Sequence, residues 1–498
     1  MYIENSAFKK ADWKYLALLY FISAAVRLKI NYSTEYIGGG NGAYYLVLVR
    51  SILEKGNIFN REFPLVFWLE AGLAYIPIKL GLMNINSAID FASRVFDSVV
   101  PPLSVIPAYL LTQKLFGDKV NRFPKFVIAA FAILYISFFM LVSDFQKNSL
   151  GLLWLFCLLY WLLKVHEERS LKNILFTALF FLLTAITHYG CIGVAIAIVA
   201  TDLLITQALK FSWKRLLTGI ISAVIVFLFA FAVINIISPW RLSSLLEIPS
   251  KIFINPVFVF IINKQPAISP IDIITMAFVN AIAITSLILF FKRPRSLNRN
   301  YKGFIASMIL LSLFLASPFL GLEYAQRLYF ISYLTVLPLL SFIYININSA
   351  ITRKVMIVFL IIVLSLSTIL SFGRPNYSNM NKTLYIELIK MKNVLPEEER
   401  SLIVARHGLE FWSTWVFRNN AVRQTTLAPV YWRWFNKIYF IIQKKDKSPF
   451  GPAGVFGSSF REPSIPKTSR RLFNGEYFEL YLSTQAPQDY SIFKESFQ

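Results

Sequence analysis

Long apolar runs recur along the first three quarters of this chain, and they constrain its fold more than any other feature. Each run is about 20 residues long, the length that an α-helix needs to cross the hydrocarbon core of a bilayer. Of the 498 residues, 56% are hydrophobic and 15% are charged, whereas soluble domains have roughly 45–50% and about 25%. The sequence therefore predicts an all-α polytopic membrane protein and excludes a soluble globular one.

The chain carries 50 Lys and Arg residues against 27 Asp and Glu residues, a formal net charge of +23. In a soluble chain this excess would indicate nucleic acid as a partner. Here most basic residues fall in short loops between apolar runs, where the positive-inside rule explains them. We therefore predict a multi-pass protein of the plasma or inner membrane whose partners include membrane lipids and no nucleic acid.

Basic clusters separate many of the apolar runs and assign the two sides of the membrane. The runs lie near residues 13–30, 64–82, 93–115, 124–142, 147–165, 172–188, 190–208, 215–237, 271–291, 303–320, 328–347 and 353–371. The clusters predicted to be cytoplasmic begin at Lys114, Lys164, Lys210, Lys292 and Arg353. Two runs separate each neighbouring pair of clusters, so their assignment to one side is self-consistent.

The first stretch of the chain breaks this pattern, because three runs lie between the lysine-rich N-terminus and the Lys114 cluster. Both are predicted to be cytoplasmic, so an even number of crossings is needed and one run cannot span. We predict that this is the run at 64–82, since Glu70 and Pro77 interrupt it and charges are costly inside a bilayer. The result is about eleven transmembrane helices, a cytoplasmic N-terminus and an external first loop, 31–92, with interfacial helices.

Within that loop, residues 43–54 have apolar side chains at helical spacing, with Arg50 and Glu54 on the other side. Such a pattern is typical of a helix that lies in the membrane interface. This segment is therefore the best-defined interfacial helix in the prediction.

The composition changes after residue 373, which divides the chain into a transmembrane domain, 1–373, and a C-terminal domain, 374–498. The second segment contains short β-rich stretches separated by polar sequence. These are SLIVA at 401–405, KIYFII at 437–442 and EYFELYL at 476–482, with a Gly/Pro loop at 449–457. We predict a small α/β soluble domain on the external or periplasmic side.

Neither the cysteines nor the histidines indicate a cofactor. Cys157 and Cys191 both lie inside apolar runs, which excludes a disulfide framework. The three histidines, His166, His188 and His407, lie too far apart in sequence to show metal-ligand spacing. We predict no cofactor and no metal site, although the sequence does not decide against a divalent metal.

Unusual polar residues concentrate on the predicted external side of the membrane. Ionisable side chains near hydrocarbon are costly, which makes them functional candidates. In SDFQKNSLG, Asp144 and Lys147 are three residues apart at the predicted start of a helix and so share a face. Asp144 could accept a proton and Lys147 could bind a phosphate. A helix cap followed by a snorkelling lysine explains the pair equally well.

Three further sites on this side have a functional and a structural interpretation. His188 lies in a turn between two runs. It could form a hydrogen bond to a substrate, or it could be a polar turn residue that only bonds the backbone or a lipid phosphate. Arg94 and Asp97, three residues apart, can pair with each other, and Arg94 could also hold a lipid phosphate. Glu323 and Arg327, four apart, could form an intrahelical salt bridge, and Arg327 could equally bind a phosphate.

The order of these motifs resembles the GT-C superfamily of integral-membrane glycosyltransferases. The resemblance covers the membrane part, about three quarters of the chain. It rests on NGAYYLVLVRSILEKG at 41–56, FPLVFWLEA at 63–71, KLFG at 114–117 after the Arg94 helix, DFQKNSLG at 144–151, THYG at 187–190 and the Arg327 helix. It implies transfer of a hexosyl or pentosyl group from a polyprenyl-phosphate carrier to a glycan, lipid or protein acceptor at the external face.

The resemblance also implies roles for individual residues. Lys147, Arg94 and Arg327 are expected to bind the phosphate of the lipid carrier, because cations placed there stabilise charge that builds on the departing phosphate. The residues expected to contact the substrates are Asn41, Tyr44, Tyr45, His188 and Glu323.

This chain departs from the family pattern at one position. Where relatives carry an acid just before the Tyr pair, it has Asn41 and Gly42. An amide cannot act as the general base that a hydroxyl acceptor needs, so another carboxylate must supply it or the activity is lost. We rank Asp144 first as the catalytic carboxylate, then Glu35, then Glu70.

Two other functional classes remain to be weighed. A transporter or flippase for a lipid-linked or anionic substrate would have charges near the bilayer midplane, and these are almost absent here. A receptor-like protein would use the C-terminal domain to bind a partner. Only the concentration of external charge argues against the second class.

The predicted sidedness can be tested by labelling single cysteines in intact cells with a membrane-impermeant reagent. A cysteine at Ser458 is expected to react from outside, and one at Ser296 only after the membrane is opened, because the basic cluster that follows Lys292 is held inside. Labelling of Ser296→Cys in intact cells would reverse the assignment of sides.

Overall fold

The computed structural model describes residues 10–58, 62–117, 120–210, 212–264, 268–292, 301–395, 401–423, 427, 430–445 and 462–485. The Gly/Pro loop at 449–457 and positions 296 and 458 lie outside these ranges. Contacts divide the chain into two compact units. We call residues 1–30, 60–69 and 95–374 the helical unit, and residues 31–59, 70–94 and 375–498 the mixed unit.

Helices account for most of the described chain. The first eleven are α1 (Lys10–Asn31), α2 (Gly42–Lys55), α3 (Leu65–Lys79), α4 (Ile85–Val99), α5 (Val105–Phe116), α6 (Arg122–Leu134), α7 (Ile136–Met140), α8 (Gln146–Glu167), α9 (Leu171–Thr187), α10 (Tyr189–Ala208) and α11 (Trp213–Ile237). The remainder are α12 (Pro239–Lys251), α13 (Val257–Ile262), α14 (Pro270–Lys292), α15 (Lys302–Leu315), α16 (Leu322–Ser332), α17 (Val336–Asn346), α18 (Ala350–Gly373), α19 (Lys382–Lys392), α20 (Leu409–Phe417) and α21 (Tyr431–Trp434).

Within the described ranges, eight helical segments are long and apolar enough to cross a membrane. They are Ile85–Phe116, Arg122–Met140, Gln146–Glu167, Tyr189–Ala208, Trp213–Ile237, Pro270–Lys292, Leu322–Asn346 and Ala350–Gly373. Two shorter apolar helices, α9 and α15, also coincide with predicted runs. The prediction of a mostly helical membrane protein is confirmed, and the total of about eleven spans stays a prediction.

The apolar helices differ in how much of their surface the protein covers. In α11 only 11% of the most apolar stretch is buried, so its side chains are available to lipid tails. In the segment Leu322–Asn346 the corresponding share is 89%, which places it inside the bundle. Close helix packing uses small residues: a Cβ on Gly151 of α8 would overlap the side chain of Cys191 on α10. The start of α10 is thereby held against the first half of α8.

The C-terminal part of the mixed unit contains a five-stranded sheet among the described residues. Its strands are β1 (Ser401–Val404), β2 (Asn420–Val422), β3 (Lys437–Gln443), β4 (Arg470–Asn474) and β5 (Phe478–Ser483), in the order β2-β1-β3-β5-β4. β1 pairs in parallel with β2 and β3, whereas β5 is antiparallel to β3 and β4. α20 follows β1 and leads to β2, as a parallel pair requires.

Three strands match the predicted β-rich stretches, and two were not predicted. β1, β3 and β5 are apolar and largely buried, which is why their sequences signal strands. β2 has only three residues, and β4 begins with two exposed arginines. Neither has an apolar pattern of its own, so only pairing with a neighbour defines it.

The glycine run at 38–42 packs against the start of the C-terminal segment. Gly39 donates its N–H to the carbonyl of Tyr377 at 2.7 Å and forms a parallel bridge with Ser378. A Cβ on Gly38 would overlap the side chain of Asn376. The run is therefore needed for close approach between two stretches of the backbone. Most of the loop 31–92 belongs to the same compact unit as residues 375–498.

The pattern of 43–54 predicts that Arg50 lies on the polar side of an interfacial helix, and the structure instead buries it. This residue of α2 is 6% exposed, and its guanidinium carbon lies 3.3 Å from the ring centroid of Trp415 on α20. It also donates to the Trp415 carbonyl at 2.6 Å and to Asn86 Oδ1 at 2.8 Å. The charged face of α2 therefore packs against α20 because cation–π stacking and a charged hydrogen bond replace water.

Replacing Glu387 by alanine is expected to destabilise the mixed unit. This buried carboxylate of α19 accepts the N–H groups of Glu476, Tyr477 and Phe478, at 3.1, 2.9 and 2.7 Å. Its loss leaves those donors unsatisfied and should cost about 3 kcal/mol, seen as a lower midpoint of thermal unfolding. Lys390→Ala, on the exposed face of the same helix, is the control. Equal midpoints for the two variants would contradict this account.

Candidate functional site

Two basic side chains of the helical unit pair with one buried carboxylate, and a third is linked to them through a tyrosine. Glu62 is 5% exposed, and its two oxygens accept from different cations: Oε2 from Lys147 Nζ at 3.1 Å and Oε1 from Arg241 Nη2 at 3.0 Å. The Arg241 guanidinium lies 4.8 Å from the ring centroid of Tyr189, and Arg327 Nη1 donates to the Tyr189 hydroxyl at 3.1 Å. We call Glu62, Lys147, Tyr189, Arg241 and Arg327 the cation cluster.

Three members of the cation cluster lie at the start of a helix. Lys147 is the second residue of α8, and Tyr189 is the first residue of α10. Arg241 lies in the first turn of α12, directly after α11 ends at Ile237. Arg327 lies in the middle of α16. Charges at helix ends can sit at the edge of the hydrocarbon rather than at its centre, which lowers their cost.

The cation cluster contains three basic side chains and one carboxylate, so basic groups are in excess by two. Burial alone would raise the pKa of Glu62, but Lys147 and Arg241 outweigh it and hold the pKa below its usual value. Glu62 is therefore ionised at neutral pH. This arrangement can bind a dianion such as a phosphate monoester, for which several converging N–H donors are required.

His188 lies in the turn between α9 and α10, next to the cation cluster. Burial, together with the charges of Lys147, Arg327 and Arg241, holds its pKa well below the ordinary value. The imidazole is therefore neutral at neutral pH. No partner for its Nδ1 lies within hydrogen-bonding distance in the described part of the chain. A neutral imidazole can donate a hydrogen bond to a substrate hydroxyl or accept one from it.

The structure places Lys147, Arg327 and His188 close enough for their charges to interact, and it corrects the predicted local geometry of Asp144. α8 begins at Gln146 and its N-cap residue is Phe145, so Asp144 neither caps the helix nor shares a helix face with Lys147. The cause is a tight turn before α8, in which Ser143 has a left-handed backbone with φ 68°. Asp144 is half-buried in this turn, and its catalytic role stays a prediction.

Arg94 and Asp97, which the sequence predicts can pair with each other, each have another ionic partner in the structure. Arg94 Nε lies 2.9 Å from Asp90 Oδ2, one helical turn away. Its other nitrogens donate to the carbonyls of Asn31, Thr34 and Glu35, at 2.5, 2.9 and 2.9 Å. Arg94 is 1% exposed and fixes the chain at the start of the first loop. Its binding of a lipid phosphate stays a prediction, and the partner of Asp97 is described below.

The remaining predicted residues are one glutamate of the helical unit and five residues of the mixed unit. Glu323 is exposed in the first turn of α16. Five others belong to the mixed unit: Glu35, Asn41, Tyr44, Tyr45 and Glu70. There Asn41 is the N-cap residue of α2, the Tyr44 ring lies 5.1 Å from that of Phe411, and Glu70 is buried on α3. Their catalytic and substrate-binding roles stay predictions.

Two charged members of the cation cluster, Glu62 and Arg241, are not among the site residues predicted from the sequence, and neither is the tyrosine. They are separated from each other by 179 residues, and Glu62 is separated from Lys147 by 85. No spacing rule connects positions so far apart. The only signal was that both are charged residues near the predicted external ends of apolar runs. Among the described residues, no group of three or more His, Cys, Asp or Glu side chains could hold a metal ion.

The fold resembles that of solved structures. ArnT from Cupriavidus metallidurans bound to undecaprenyl phosphate matches 96% of this chain and 100% of its own, with 11% identity and a TM-score of 0.53. The apo state of the same protein matches over the same shares, with 13% identity and a TM-score of 0.51. No family model and no curated protein sequence matches this chain.

At this level of identity the likeness establishes the fold. The helical architecture with a small C-terminal sheet is similar to that of ArnT. What the cation cluster binds is a separate question, which depends on its own chemistry.

Proposed function

We propose that this protein is a membrane glycosyltransferase that moves a sugar from a polyprenyl-phosphate carrier to an acceptor at the external membrane face. The observation that carries the proposal is the cation cluster, in which Lys147, Arg241 and Arg327 converge near one carboxylate. The GT-C fold supports it, since one ArnT structure with this fold is bound to undecaprenyl phosphate. A hexosyl or pentosyl group is the expected cargo.

The proposed chemistry follows from the charges of the cluster. Breaking the bond between the sugar and the phosphate builds negative charge on the departing phosphate oxygen. Cations fixed beside that oxygen stabilise the transition state more than the ground state, which is how an electrostatic site accelerates a reaction. Without lipid, Glu62 occupies the donors of Lys147 and Arg241, so the lipid phosphate would compete with this carboxylate for them.

The acceptor needs a general base, and Asp144 remains the first candidate. It belongs to the helical unit and lies three residues before Lys147 in the turn that leads into α8. Glu35 and then Glu70, both in the mixed unit, are the alternatives. The neutral imidazole of His188 is well suited to bond an acceptor or sugar hydroxyl.

A transporter or flippase is not favoured. A translocation path needs polar groups near the middle of the membrane. Lys147, Tyr189 and Arg241 instead lie at the ends of apolar helices. A site at the ends of helices is suited to chemistry on a lipid headgroup.

The donor can be identified by mass spectrometry of membrane lipids from cells that lack this protein. A polyprenyl-phosphate sugar should accumulate, because the transfer that consumes it is gone, and expression of the intact protein should remove it. An unchanged lipid pool together with intact glycans would exclude the proposed reaction.

Alanine at Lys147, Arg241 or Arg327 is expected to weaken binding of undecaprenyl phosphate by about 10- to 100-fold, the usual cost of one charged hydrogen bond. Binding can be measured in detergent by native mass spectrometry. Arg327→Lys should restore little of the binding that Arg327→Ala loses, because an ammonium cannot reproduce the geometry of a guanidinium. All variants should fold, since each cation lies at a helix end or a partly exposed position.

The matched control is Lys251→Ala. Lys251 lies on the same helix as Arg241 but pairs with Glu247 in a half-exposed salt bridge of 2.7 Å outside the cation cluster. This variant loses the same charge and should bind the lipid as the wild type does. If Lys251→Ala weakens binding as much as Arg241→Ala, only the total charge matters and no specific phosphate site exists.

The substitution Asp144→Asn keeps the size of the side chain but removes the base. We expect it to lower turnover of the accumulated lipid-linked sugar by about 10²-fold or more while lipid binding is unchanged. Glu35→Gln and Glu70→Gln are the comparison variants. Full turnover with Asp144→Asn and none with Glu35→Gln would move the base to the first loop.

A further inference from the structure

A fully buried ion pair joins two helices of the helical unit near the turn that precedes Lys147. Arg27 of α1 and Asp97 of α4 are both 0% exposed, and Arg27 Nη2 lies 2.7 Å from Asp97 Oδ1. Arg27 Nε also donates to the Asp97 carbonyl at 2.8 Å. A buried pair of this kind is weak evidence for stability, because desolvation offsets much of the attraction. Its position therefore requires another explanation.

The pair contacts three points of the segment that runs from α7 into the first turn of α8. Arg27 Nη1 donates to the carbonyl of Phe138 at 2.9 Å, and Arg27 Nη2 donates to Ser149 Oγ at 3.0 Å. Asp97 Oδ2 accepts the backbone N–H of Ser143 at 2.9 Å. The three points span residues 138–149, which include the turn and the first residues of α8.

Asp97 holds this segment at its most restricted residue. Ser143 has φ 68°, a conformation that costs energy for a residue with a Cβ and persists only where the surroundings fix it. The carboxylate of Asp97 fixes it directly by accepting the Ser143 N–H. Lys147 follows four residues later, and Ser149, held by Arg27, two residues after that. The lysine therefore lies between two anchored residues.

We infer that Arg27 and Asp97 form a positioning pair that sets the place of Lys147 against Glu62, and thereby the geometry of the phosphate site. The inference rests on the proposed function for the identity of the ligand, but the positioning itself does not. A lysine side chain has many rotamers, and a backbone fixed on both sides of it removes much of that freedom. A mutation far from the reacting atoms that displaces a binding group by about 1 Å can lower activity by about 10²-fold.

The test compares Asp97→Asn with Ser23→Ala in the full-length protein in detergent. Ser23, also buried on α1, donates to the Ile133 carbonyl at 2.8 Å and contacts none of the three anchored points. Two quantities are measured below the unfolding temperature of both variants: the affinity for undecaprenyl phosphate, and the rate at which acetic anhydride acetylates Lys147, followed by peptide mass spectrometry.

Asp97→Asn should weaken lipid binding by about tenfold or more, and acetic anhydride should acetylate Lys147 several-fold faster in this variant. Ser23→Ala should change neither quantity. In a Lys147→Ala background, Asp97→Asn should weaken binding no further, because it acts through that lysine. A purely structural role would instead lower stability without changing the acetylation rate of the folded protein. An unchanged acetylation rate in Asp97→Asn would overturn the inference. So would a double variant whose loss of lipid affinity equals the product of the losses in the two single variants.

Two further outcomes separate this inference from the proposed function. If the wild type binds no undecaprenyl phosphate but Asp97→Asn still speeds acetylation of Lys147, the positioning pair stands and the proposed ligand is wrong. If Asp97→Asn does not fold, Ser149→Ala removes a single acceptor of Arg27 and should shift both quantities in the same direction by a smaller factor. No shift in Ser149→Ala would then overturn the inference.

Discussion

Charge is costly in hydrocarbon, and this constraint explains where the helical unit places its functional groups. A helix satisfies its own backbone, so apolar helices can be buried or face lipid, but each ionised side chain needs a partner or the membrane surface. The cation cluster meets both conditions: Lys147, Tyr189 and Arg241 lie at helix ends, and Glu62 pairs with two cations. The excess of positive charge that remains is what makes the cluster suited to an anion.

Three buried carboxylates of the chain have different roles because they have different partners. Glu62 pairs with two cations, which hold its pKa below its usual value. Asp97 is enclosed by Arg27 and a backbone N–H, so it organises the chain around it. Glu387 accepts three backbone N–H groups and holds a hairpin turn in the mixed unit. In each case the partners decide the role.

Much of the fold could be predicted because it follows from local composition. The apolar runs correspond to observed helices, and three of the five described strands match β-rich stretches. The two missed strands carry no apolar pattern. Arg50 was placed on the wrong side of its helix because the helical pattern cannot show that Trp415, 365 residues later, would cover it. The spacing of Arg94 and Asp97 predicts a pair, and it cannot show that Asp90 and Arg27 are also their ionic partners.

The sequence by itself determined the membrane class, the helices and the concentration of charge at helix ends, since each depends on composition within about 20 residues. Tertiary structure alone decided which charges meet. Glu62, Lys147, Arg241 and Arg327 come from four separate segments, and their convergence depends on how helices pack, including the close contact at Gly151 and Cys191. Packing brings together residues whose sequence separation carries no information about distance, so the cluster could be found only in the folded chain.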